Sequence, residues 1–579
     1  MNLPAPASQG RGPAAATATA ARASSDAFAL VLHTHIPYVL GHGTWPHGSE
    51  WLLEAAADCY LPLLAEIDRL AARGLRPGWT IALSPVLAEQ LADPRFDHEL
   101  RLYLGRKRDA AAEDARAFGA GAPDRARQAA VWRDHFDALL HAYVEDHRGD
   151  LAGAFRRREA SGAVELMTCA ATHGYLPLLG TAAAVAAQLR TAVASHTRLF
   201  GHAPRGIWLP ECAYRPGLEA ALAAQGLRHF VVDAHLFGAA VPAPSPYLVF
   251  AGAAAPRLVA WKEPHEAPPA TVKLDAYDPA DVGDAHDEGV RARAFARHAE
   301  AARRVWSADE GYPGDPAYLD FHKKHHPGGH RYWRVTGPRV DMGKKADYEP
   351  AAAAARARAH AEHFAGLVQA ELAAHRAAGG HAGTVCAPFD TELFGHWWFE
   401  GVAFLGALVE ELDRRGVVMA TLEEREADHA ASGTMQPAAA LPEGSWGLGG
   451  DHRVWANAEV QWVWDLIRPG ERDAAELAAR EEAATNGSPE AELARRARRQ
   501  HARALLLLEA SDWPFLMTVG TAADYAERRV RVHAADRERL ARLARDAERG
   551  PLSDADRDFL GALEARDRLF PDVDPRWWR

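Results

Sequence analysis

Apolar runs of strand length, each ending in polar residues, recur along the chain and alternate with segments of helical periodicity. The first run is FALVLHTHIP, which starts at Phe28. Further runs of this kind lie near Ile81, Glu165, Trp208, Val231, Trp333 and Cys386. Between them, apolar residues repeat every three or four positions over 53–67, 182–199 and 351–375. About seven alternations of strand and helix predict an α/β fold with a parallel sheet closed into a barrel.

Two segments depart from this alternation. Residues 93–160 are charged and poor in strand-like runs, and residues 421–579 are dominated by Ala, Glu and Arg at helical spacing. The length of 579 residues also exceeds the ~250–300 residues at which a single core stops growing. We therefore expect a barrel over 26–420 with a helical insertion at about 93–160, followed by a helical C-terminal domain over 421–579.

Charge, cysteine content and the N-terminal segment limit the cellular setting. The formal charge is −12, from 66 Lys and Arg against 78 Asp and Glu without a basic block, which argues against nucleic acid as a partner. Residues 1–25 lack the apolar segment of a secretory signal and are expected to be a disordered tail, and no window reaches the ~18 apolar residues of a membrane span. The 4 cysteines have no CxxC spacing, which favours a reducing cytoplasm.

Polar residues follow directly after several of the predicted strands. In a parallel barrel such positions meet at the carboxyl ends of the strands, where active sites lie. They are His33, His35, Ser84, His173, Glu211, Asp233, Asp390 and Glu392. Glu211 and Asp390 also have aromatic neighbours in the sequence. Paired carboxyls of this kind suit glycosidic cleavage, in which one group protonates the leaving oxygen and the other attacks or activates water, while aromatic rings bind the flat faces of sugars.

The residues alone leave other interpretations open. A single carboxylate at a strand end is more often a cap or a salt-bridge partner than a catalytic group. His33 and His35, two positions apart on a strand, would face the same side and could bind zinc, as in a metal-dependent carbohydrate deacetylase. Hydrogen bonds to a polar substrate account for both histidines equally well.

Several signature segments carry a resemblance to a known family. They are HTHIPYVLGHGTWPHG from His33, AATHGYLPLL from Ala170, GIWLPECAY from Gly206 and CAPFDTELFGHWWFEG from Cys386. These segments are similar to those of glycoside hydrolase family 57, and their sequences most resemble those of its 1,4-α-glucan branching enzymes. Further segments that resemble this subgroup are RVWSADEGYPGDP from Arg304, SWGLGGDHRVW from Ser445 and EASDWPFLMTVG from Glu509. The resemblance extends from about residue 27 to the C-terminus.

The resemblance implies a fold and a set of site residues. The fold would be an incomplete (β/α)7 barrel with an inserted helical domain and a helical C-terminal domain that contributes to the substrate cleft. Glu211 would be the nucleophile, and Asp390 would be the proton donor and general acid/base. The substrate-binding residues would be His33, His35, Trp45, His173, Arg297, Gly314, Trp397, Trp446 and Asp512. An α-1,4-glucan is the implied substrate, and neither a metal nor an organic cofactor is implied.

The reaction that the resemblance implies is a retaining transglycosylation. Glu211 would attack the anomeric carbon while Asp390 protonates the departing O4. Asp390 would then deprotonate an incoming 6-hydroxyl, which creates an α-1,6 branch in a glycogen-like polymer. This mechanism requires the two carboxyls to lie about 5–5.5 Å apart.

Departures from the subgroup keep related activities open. Residues 233–246 align with an active-site loop that carries a tyrosine in the subgroup, and they contain Phe237 but no tyrosine. Thr521 stands where a glucan-binding glutamine is expected, and residues 262–293 form an additional acidic, Pro-rich insertion. A family 57 α-amylase, a 4-α-glucanotransferase and a non-catalytic α-glucan-binding protein are therefore alternatives to a branching enzyme. The sequence indicates neither an oligomeric state nor the length of a transferred chain.

Tryptophan is abundant, and part of it lies in the signature segments. The chain has 17 Trp, and those in or beside the segments are Trp45, Trp208, Trp306, Trp397, Trp398, Trp446 and Trp513. Since aromatic rings bind the apolar faces of sugars, we expect these residues to line a long α-glucan cleft across two domains.

Overall fold

In the computed structural model, a parallel sheet forms the centre of the protein. The structure describes residues 25–238, 248–250, 292–307, 310–378, 382–432, 441–483 and 488–579. Nearly all of the predicted N-terminal tail and of the acidic insertion lies outside these ranges. Residues 239–246 of the predicted active-site loop lie outside them as well.

Nine strands lie within the described ranges, and all of their pairings are parallel. They are β1 Ala27–Thr34, β2 Trp79–Leu83, β3 Val164–Cys169, β4 Gly206–Trp208, β5 His229–Val232, β6 Leu248–Phe250, β7 Ala292–Ala296, β8 Thr384–Asp390 and β9 Val418–Met419. Their order in the sheet is β6-β7-β5-β4-β3-β2-β1-β8, and β9 pairs with the first residues of β1.

The inside of the barrel is filled by side chains from seven of these strands. They are Ala29 and Val31 from β1, Ala82 from β2, Met167 and Cys169 from β3, Trp208 from β4, Val231 from β5, Phe295 from β7 and Cys386 from β8. Side chains alternate along a strand, so Ala29 points inward while Leu30 joins the core outside the barrel. Between β7 and β8, His298 N–H donates to Cys386 O at 2.8 Å. The predicted incomplete seven-stranded barrel is confirmed.

Eighteen α-helices lie in the described part of the chain. They are α1 Ser49–Ala55, α2 Leu61–Ala72, α3 Pro85–Leu91, α4 Pro94–Phe118, α5 Pro123–His141, α6 Leu151–Ala160, α7 Ala182–Phe200, α8 Leu218–Ala224, α9 Ala234–Gly238, α10 Ala299–Trp306, α11 Pro350–Ala377, α12 Gly401–Arg414, α13 Leu422–Ser432, α14 Gln461–Ala483, α15 Pro489–Leu508, α16 Asp512–Val519, α17 Ala523–Ala547 and α18 Asp554–Arg566. A π-helical turn, Ala56–Tyr60, joins α1 to α2. None of the described helices has both the length and the hydrophobicity to cross a membrane.

The two segments that interrupt the alternation are helical, as predicted. Helices α4 and α5 of the insertion pack along each other, and Asp93 caps the first of them by accepting from Arg95 N–H at 2.8 Å. In the C-terminal region, α15 and α17 form the most extensive helix pair, and a separate apolar cluster holds α14, α15, α17 and α18 together. Each segment thus has packing of its own next to the barrel.

Helix α13 packs with the barrel rather than with the helices that follow it. Leu422, its first residue, completes the cluster inside the barrel. The N–H groups of Leu422 and Glu423 donate to Thr80 Oγ1 and Glu165 Oε2, both at 3.0 Å. Because Thr80 and Glu165 lie near the starts of β2 and β3, these contacts cover the amino ends of the strands. We propose that the C-terminal domain, expected from residue 421, begins after α13.

One predicted strand is wrong. The run around Trp333 is not part of the sheet and forms only isolated bridges in the described residues, such as the one between Trp333 and Asp347. Its aromatic residues pack on the helical insertion instead, where Trp132 Nε1–H of α5 donates to Arg331 O at 2.8 Å. The strand that the sequence predicted at this run is replaced in the barrel by β7, whose sequence ARAFA contains no long apolar run.

Candidate active site

Glu211 lies in a tight turn directly after β4, with its backbone in the left-handed region. Its φ is +61° and that of Cys212 is +50°, which is uncommon for residues with a side chain. Cys212 N–H donates to Leu209 O at 2.8 Å, and Trp446 N–H donates to Glu211 O at 3.0 Å. Such conformations persist only where the surrounding structure enforces them, and they cluster at functional sites. The backbone of Glu211 is thus held both by its own turn and by the C-terminal part of the chain.

The carboxyl group of Glu211 accepts two hydrogen bonds from that same part of the chain. Trp446 Nε1–H donates to Oε2 at 2.8 Å, and the Ser511 hydroxyl lies 3.3 Å from Oε1. Burial raises the pKa of Glu211 to about 7, against the opposing effect of the Trp446 hydrogen bond and with a further contribution from the charge of Asp512. Glu211 therefore ionises in the neutral pH range.

Asp390 is the last residue of β8 and lies beside the end of β1, where its register partner is His33. Burial raises the pKa of the Asp390 carboxyl well above its usual range, and the charges of Glu392 and Glu211 raise it further. Arg297 opposes these effects. No described residue donates a hydrogen bond to this carboxyl. Among the described residues, Asp390 thus lacks the donors that favour the ionised form of Glu211, and the charge of Glu211 favours its protonated form, so the two groups suit different roles.

Three histidines stack beside the carboxyls. The ring centroids of His35 and His173 are 4.0 Å apart, and His33 stacks on Trp208 at 4.7 Å. His173 Nε2 and His33 Nε2 are 3.0 Å apart, which is hydrogen-bond distance. Burial lowers the pKa of both His33 and His173 well below the usual value, and the neighbouring His35 lowers each of them further. His33 and His173 are therefore neutral in the neutral pH range.

The segment that precedes α16 enters the site from the C-terminal region. Gly174 and Ala510 form an antiparallel bridge, and Ser511 N–H donates to His173 O at 3.1 Å. The carboxylate oxygens of Asp512 are both 3.1 Å from His35 Nε2. The barrel residues of the site are therefore in direct contact with Ser511 and Asp512.

Arg297 joins the site from the opposite side of the barrel. It follows β7, and its N–H donates to Val232 O at 3.0 Å. The guanidinium forms an ion pair with Asp233 at the end of β5, and its central carbon lies 5.7 Å from the centroid of the Trp446 ring. Arg297 thus holds one face of the indole whose N–H binds Glu211.

Two family models match the sequence. The model described as Glycosyl hydrolase family 57 matches residues 29–259, and the model described as 1,4-alpha-glucan branching enzyme, C-terminal, matches residues 471–578. A 1,4-α-glucan branching enzyme of Thermococcus kodakarensis is 40% identical over 559 residues, which cover 94% of this chain and 77% of that protein. The chain belongs to glycosyl hydrolase family 57. A probable 1,4-α-glucan branching enzyme of Mycobacterium tuberculosis is 33% identical, over 93% of this chain and 97% of that protein.

Solved structures of relatives share the fold of this family 57 protein. The branching enzyme of Thermococcus kodakaraensis, in complex with glucose, matches with a TM-score of 0.81 at 38% identity, over 96% of each chain. The branching enzyme of Pyrococcus horikoshii matches with a TM-score of 0.80 at 37% identity, over 96% of each chain. An α-amylase of Thermotoga maritima matches with a TM-score of 0.77 at 26% identity, over 96% of this chain and 99% of that one. The fold alone therefore does not distinguish transfer from hydrolysis.

Most of the predicted site residues of this family 57 protein meet at the carboxyl ends of the strands. Hydrogen bonds join six of them in pairs: His33 with His173, His35 with Asp512, and Glu211 with Trp446. Asp390 and Arg297 interact with this group through charge. Three others take no part in its hydrogen bonds among the described residues: Gly314 in a turn before α11, and Trp45 and Trp397 on loops after β1 and β8.

The expectation that the signature tryptophans line a cleft applies to only some of them. Trp208, Trp398 and Trp513 are fully buried, so they are core residues. Trp45 and Trp397 are 77% and 54% exposed, which leaves ring surface available to a ligand. Large aromatic side chains serve both purposes, and a sequence motif does not separate them.

Ser511 and Tyr60 were not among the predicted residues, and Glu392 was expected only as a polar residue after a strand, without a role of its own. Glu392 lies two positions after Asp390, and its Oε1 accepts from the Tyr60 hydroxyl at 2.6 Å. Burial raises the pKa of Glu392 to about 7, against the effect of the Tyr60 hydrogen bond. Its place after the predicted strand had marked Glu392 in the sequence. No sequence pattern pointed to Tyr60, because its contact with Glu392 depends on the π-helical turn between α1 and α2.

The same π-helical turn supports the loop that follows Asp390. His396 Nδ1 lies 3.0 Å from Asp58 Oδ2, and the Cys59 thiol lies 3.6 Å from Glu392 O. Gly395 has φ +112°, and a Cβ on it would lie 1.9 Å from Asp58 O. The close approach of these two backbones keeps Glu392 beside Asp390.

A cluster that could hold a cation exists in the site. His35, His173 and Asp512 each offer one ligand atom, and these atoms all lie within 4.8 Å of one another. Hydrogen bonds already account for the ring nitrogens: those of His35 contact Ser84 and Asp512, and those of His173 contact Ser511 and His33. The donor set thus fits a hydrogen-bonded cluster without requiring a metal.

Replacing Gly395 by Ala should destabilise the protein by more than about 1 kcal/mol, because the new Cβ meets Asp58 O and the backbone is left-handed. Gly561 provides a matched control, since it lies inside α18 with nothing within 4 Å of a built Cβ. Gly561→Ala should stabilise the protein by roughly 0.5–1 kcal/mol. Urea unfolding of both variants measures the difference, and effects of the same sign would contradict the proposed close packing.

Proposed function

We propose that this protein is a 1,4-α-glucan branching enzyme. It would be a retaining transglycosylase that cleaves an α-1,4-glucan and transfers the cut chain to a 6-hydroxyl, so that α-1,6 branches form in a glycogen-like polymer. The observation that carries the proposal is the pair of buried carboxyls after β4 and at the end of β8, of which Glu211 is held by two donors that favour its ionised state and Asp390 has a raised pKa that favours its protonated state. Paired carboxyls in these two states suit a nucleophile and a general acid.

In the first half of the reaction, Glu211 attacks the anomeric carbon and Asp390 gives its proton to the departing O4. Trp446 Nε1–H and the Ser511 hydroxyl fix the two oxygens of Glu211 before the substrate arrives. Such positioning removes the need to reorganise solvent around the carboxylate as the bond forms. The product of this step is a covalent glycosyl ester of Glu211.

In the second half, the Asp390 carboxylate takes the proton of an incoming 6-hydroxyl. The charge of Glu211 is one cause of the raised pKa of Asp390. That charge disappears when Glu211 becomes an ester, so the pKa of Asp390 falls at the stage where it must act as a base. The same pair of groups thereby supports both the acid and the base step.

Substrate binding is proposed for the remaining predicted residues. His33, His35 and His173 would contact the sugars on either side of the scissile bond, and Arg297, Trp446 and Asp512 would complete that wall. Gly314 and Trp45 would lie along the glucan chain. The exposed ring of Trp397 lies 4.4 Å from that of Phe321, measured between centroids, and the pair offers an apolar surface to a sugar face.

The acceptor distinguishes a branching enzyme from the second candidate, a family 57 α-amylase. The Thermotoga maritima α-amylase with this fold favours hydrolysis as an alternative. The match of residues 471–578 to a C-terminal model of branching enzymes favours transfer. Thr521, which replaces the expected glutamine, is exposed between α16 and α17. The loop in which the tyrosine is expected lies largely outside the described residues.

The proposed setting is the cytoplasm, as part of glycogen synthesis. The 4 cysteines are all free and buried, which agrees with a reducing compartment. An α-glucan is uncharged, and a net charge of −12 is compatible with a substrate that needs no electrostatic attraction.

Incubation of the protein with amylose should produce α-1,6 linkages. A debranching enzyme should then release short linear chains from the product, and chromatography of these chains measures their lengths. Reducing ends without new α-1,6 linkages would identify a hydrolase instead. The variant Glu211→Gln should lose activity by several orders of magnitude while it still binds amylose. Unchanged turnover in this variant would contradict the role of Glu211.

The acidic limb of the pH profile should report Glu211. Its carboxylate must be ionised to attack, so kcat/KM should rise with pH through about 7. The Trp446 hydrogen bond lowers the pKa of Glu211, so Trp446→Phe should move this limb to higher pH by about one unit. Trp462→Phe is the control, because Trp462 lies on α14 against Arg531. A limb that stays in place in Trp446→Phe would argue against the hydrogen bond.

The basic limb should report Asp390, which must be protonated to act as an acid. The charge of Glu392 raises the pKa of Asp390, so Glu392→Gln should move the basic limb of kcat/KM to lower pH. Glu400→Gln is a matched control, because Glu400 is another buried carboxyl that accepts from a tyrosine, Tyr348, at 2.7 Å. This control should lose stability and keep the limb. Equal shifts in both variants would contradict a specific effect of Glu392.

A further inference from the structure

A continuous chain of hydrogen bonds connects Glu211 to the end of β1. The Ser511 hydroxyl lies 3.3 Å from Glu211 Oε1 and 2.7 Å from His173 Nδ1. The other ring nitrogen of His173, Nε2, lies 3.0 Å from His33 Nε2. Chain segments that are far apart in the sequence thus share one row of hydrogen-bonded polar atoms, which ends at the Glu211 carboxyl.

The ionised state of Glu211 fixes the direction of every bond in this chain. A carboxylate only accepts, so the Ser511 hydroxyl donates its single proton to Glu211 and must accept from His173 Nδ1–H. A neutral imidazole carries one N–H, so His173 Nε2 is an acceptor and His33 Nε2–H donates to it. The remaining nitrogen, His33 Nδ1, is then left with a free lone pair.

The surroundings of the two histidines support this assignment. His33 and His173 are 4% and 3% exposed, and burial keeps both of them neutral by lowering their pKa values. Within the described residues, His33 Nδ1 is buried and has no hydrogen-bond partner. A buried polar atom without a partner is costly, and in a site of this kind it points to a ligand group that supplies the missing bond.

We propose that Ser511 is a positioning residue that ties the tautomers of His173 and His33 to the ionised state of Glu211, so that His33 Nδ1 accepts a hydrogen bond from a sugar hydroxyl. This inference rests on the proposed function, since a glucan supplies the hydroxyl. It adds a role that neither the sequence nor the position of Ser511 in its segment indicates.

This chain of hydrogen bonds makes binding of the sugar hydroxyl depend on whether Glu211, the proposed nucleophile, is ionised. If Glu211 is protonated on Oε1, it donates to Ser511, Ser511 donates to His173 Nδ1, and His173 Nε2–H donates to His33 Nε2. His33 Nδ1 then carries the hydrogen and no longer accepts. The sugar hydroxyl is therefore bound in this way only when Glu211 is ready to attack. In the glycosyl ester, a carbonyl oxygen still accepts, so the contact can persist through the intermediate.

Other titratable groups face this chain. Asp512 and His35 act on Glu211 through their charges, and His35 also acts on His33 and His173. Glu211 in turn acts on Asp390, together with Glu392 and Arg297. Trp446 donates to Oε2, which leaves Oε1 as the oxygen that exchanges its role with Ser511.

Neutron diffraction from crystals of the full-length protein, exchanged into heavy water, tests the assignment directly. At a pH well above 7, where Glu211 is ionised, deuterons are expected on His33 Nε2, His173 Nδ1 and Ser511 Oγ, with none on His33 Nδ1. At a pH well below 7, a deuteron should move to His33 Nδ1. A deuteron on His33 Nδ1 at the higher pH, or the same pattern at both, would overturn the proposal.

Kinetics of two Ser511 variants provide a second test. Ser511→Ala removes the hydroxyl and keeps the backbone bond from Ser511 N–H to His173 O. It should lower kcat/KM on maltooligosaccharides about tenfold and move the acidic limb to higher pH, because Glu211 loses a donor that lowers its pKa. Ser511→Thr retains a hydroxyl and should restore both. A loss of activity with an unmoved acidic limb would indicate a merely structural role.

Ser195→Ala is the matched control for these measurements. Ser195 is buried, and its hydroxyl donates to Glu89 Oε1 at 2.6 Å between α7 and α3, away from the carboxyl pair. This variant should keep kcat/KM and the acidic limb. The failure of the proposed function would appear separately, as wild-type protein that neither cleaves nor branches amylose, whereas the neutron pattern does not depend on turnover.

Discussion

The burial of several carboxyl groups at one end of a narrow barrel is the constraint on which the rest of the site depends. The charge of Asp512 raises the pKa of Glu211, and the charges of Glu392 and Glu211 raise the pKa of Asp390. A buried charge is tolerated only if it is paired, hydrogen-bonded or neutralised. Each group meets this requirement differently: Glu211 has two donors, Asp390 has a raised pKa that favours its neutral form, Glu392 binds a tyrosine, and Asp512 contacts His35. The proposed division of labour, with Glu211 as nucleophile and Asp390 as acid, follows from these different environments.

Much of the barrel could be predicted from the sequence, because buried parallel strands need apolar residues on both faces. Strands β1 to β5 and β8 follow this rule. The rule failed for β7, whose ARAFA sequence places an arginine on the outside, and it selected the aromatic run around Trp333, which is apolar because the helical insertion packs on it. An apolar run indicates that a segment is buried. It does not distinguish burial against a neighbouring helix from burial within a sheet. The boundary that we propose after α13 gave no signal in the sequence for a similar reason, since the contacts of this helix with Thr80 and Glu165 involve backbone N–H groups that any sequence provides.

The site residues also fall into those that the sequence pattern predicts and those that it does not. Glu211, Asp390 and the three histidines were visible as polar residues at strand ends, whereas Arg297, Gly314, Trp446 and Asp512 came only from the resemblance to family 57. Tyr60 was missed because a π-helical turn has no periodic signature, and Ser511 was missed because a serine before a helix is ordinarily a cap. In both cases the chemistry arises from a tertiary contact, the Tyr60 hydroxyl on Glu392 and the Ser511 hydroxyl between His173 and Glu211.

The double attachment of Trp446 to Glu211, through backbone and indole, also bears on how the protein is made. During synthesis the barrel residues leave the ribosome first, before the donors that favour the ionised form of Glu211. Trp446, Ser511 and Asp512 emerge later and must dock before the two carboxyls reach their working states. A nascent chain, or one truncated before residue 446, therefore lacks the donors that hold the Glu211 carboxyl.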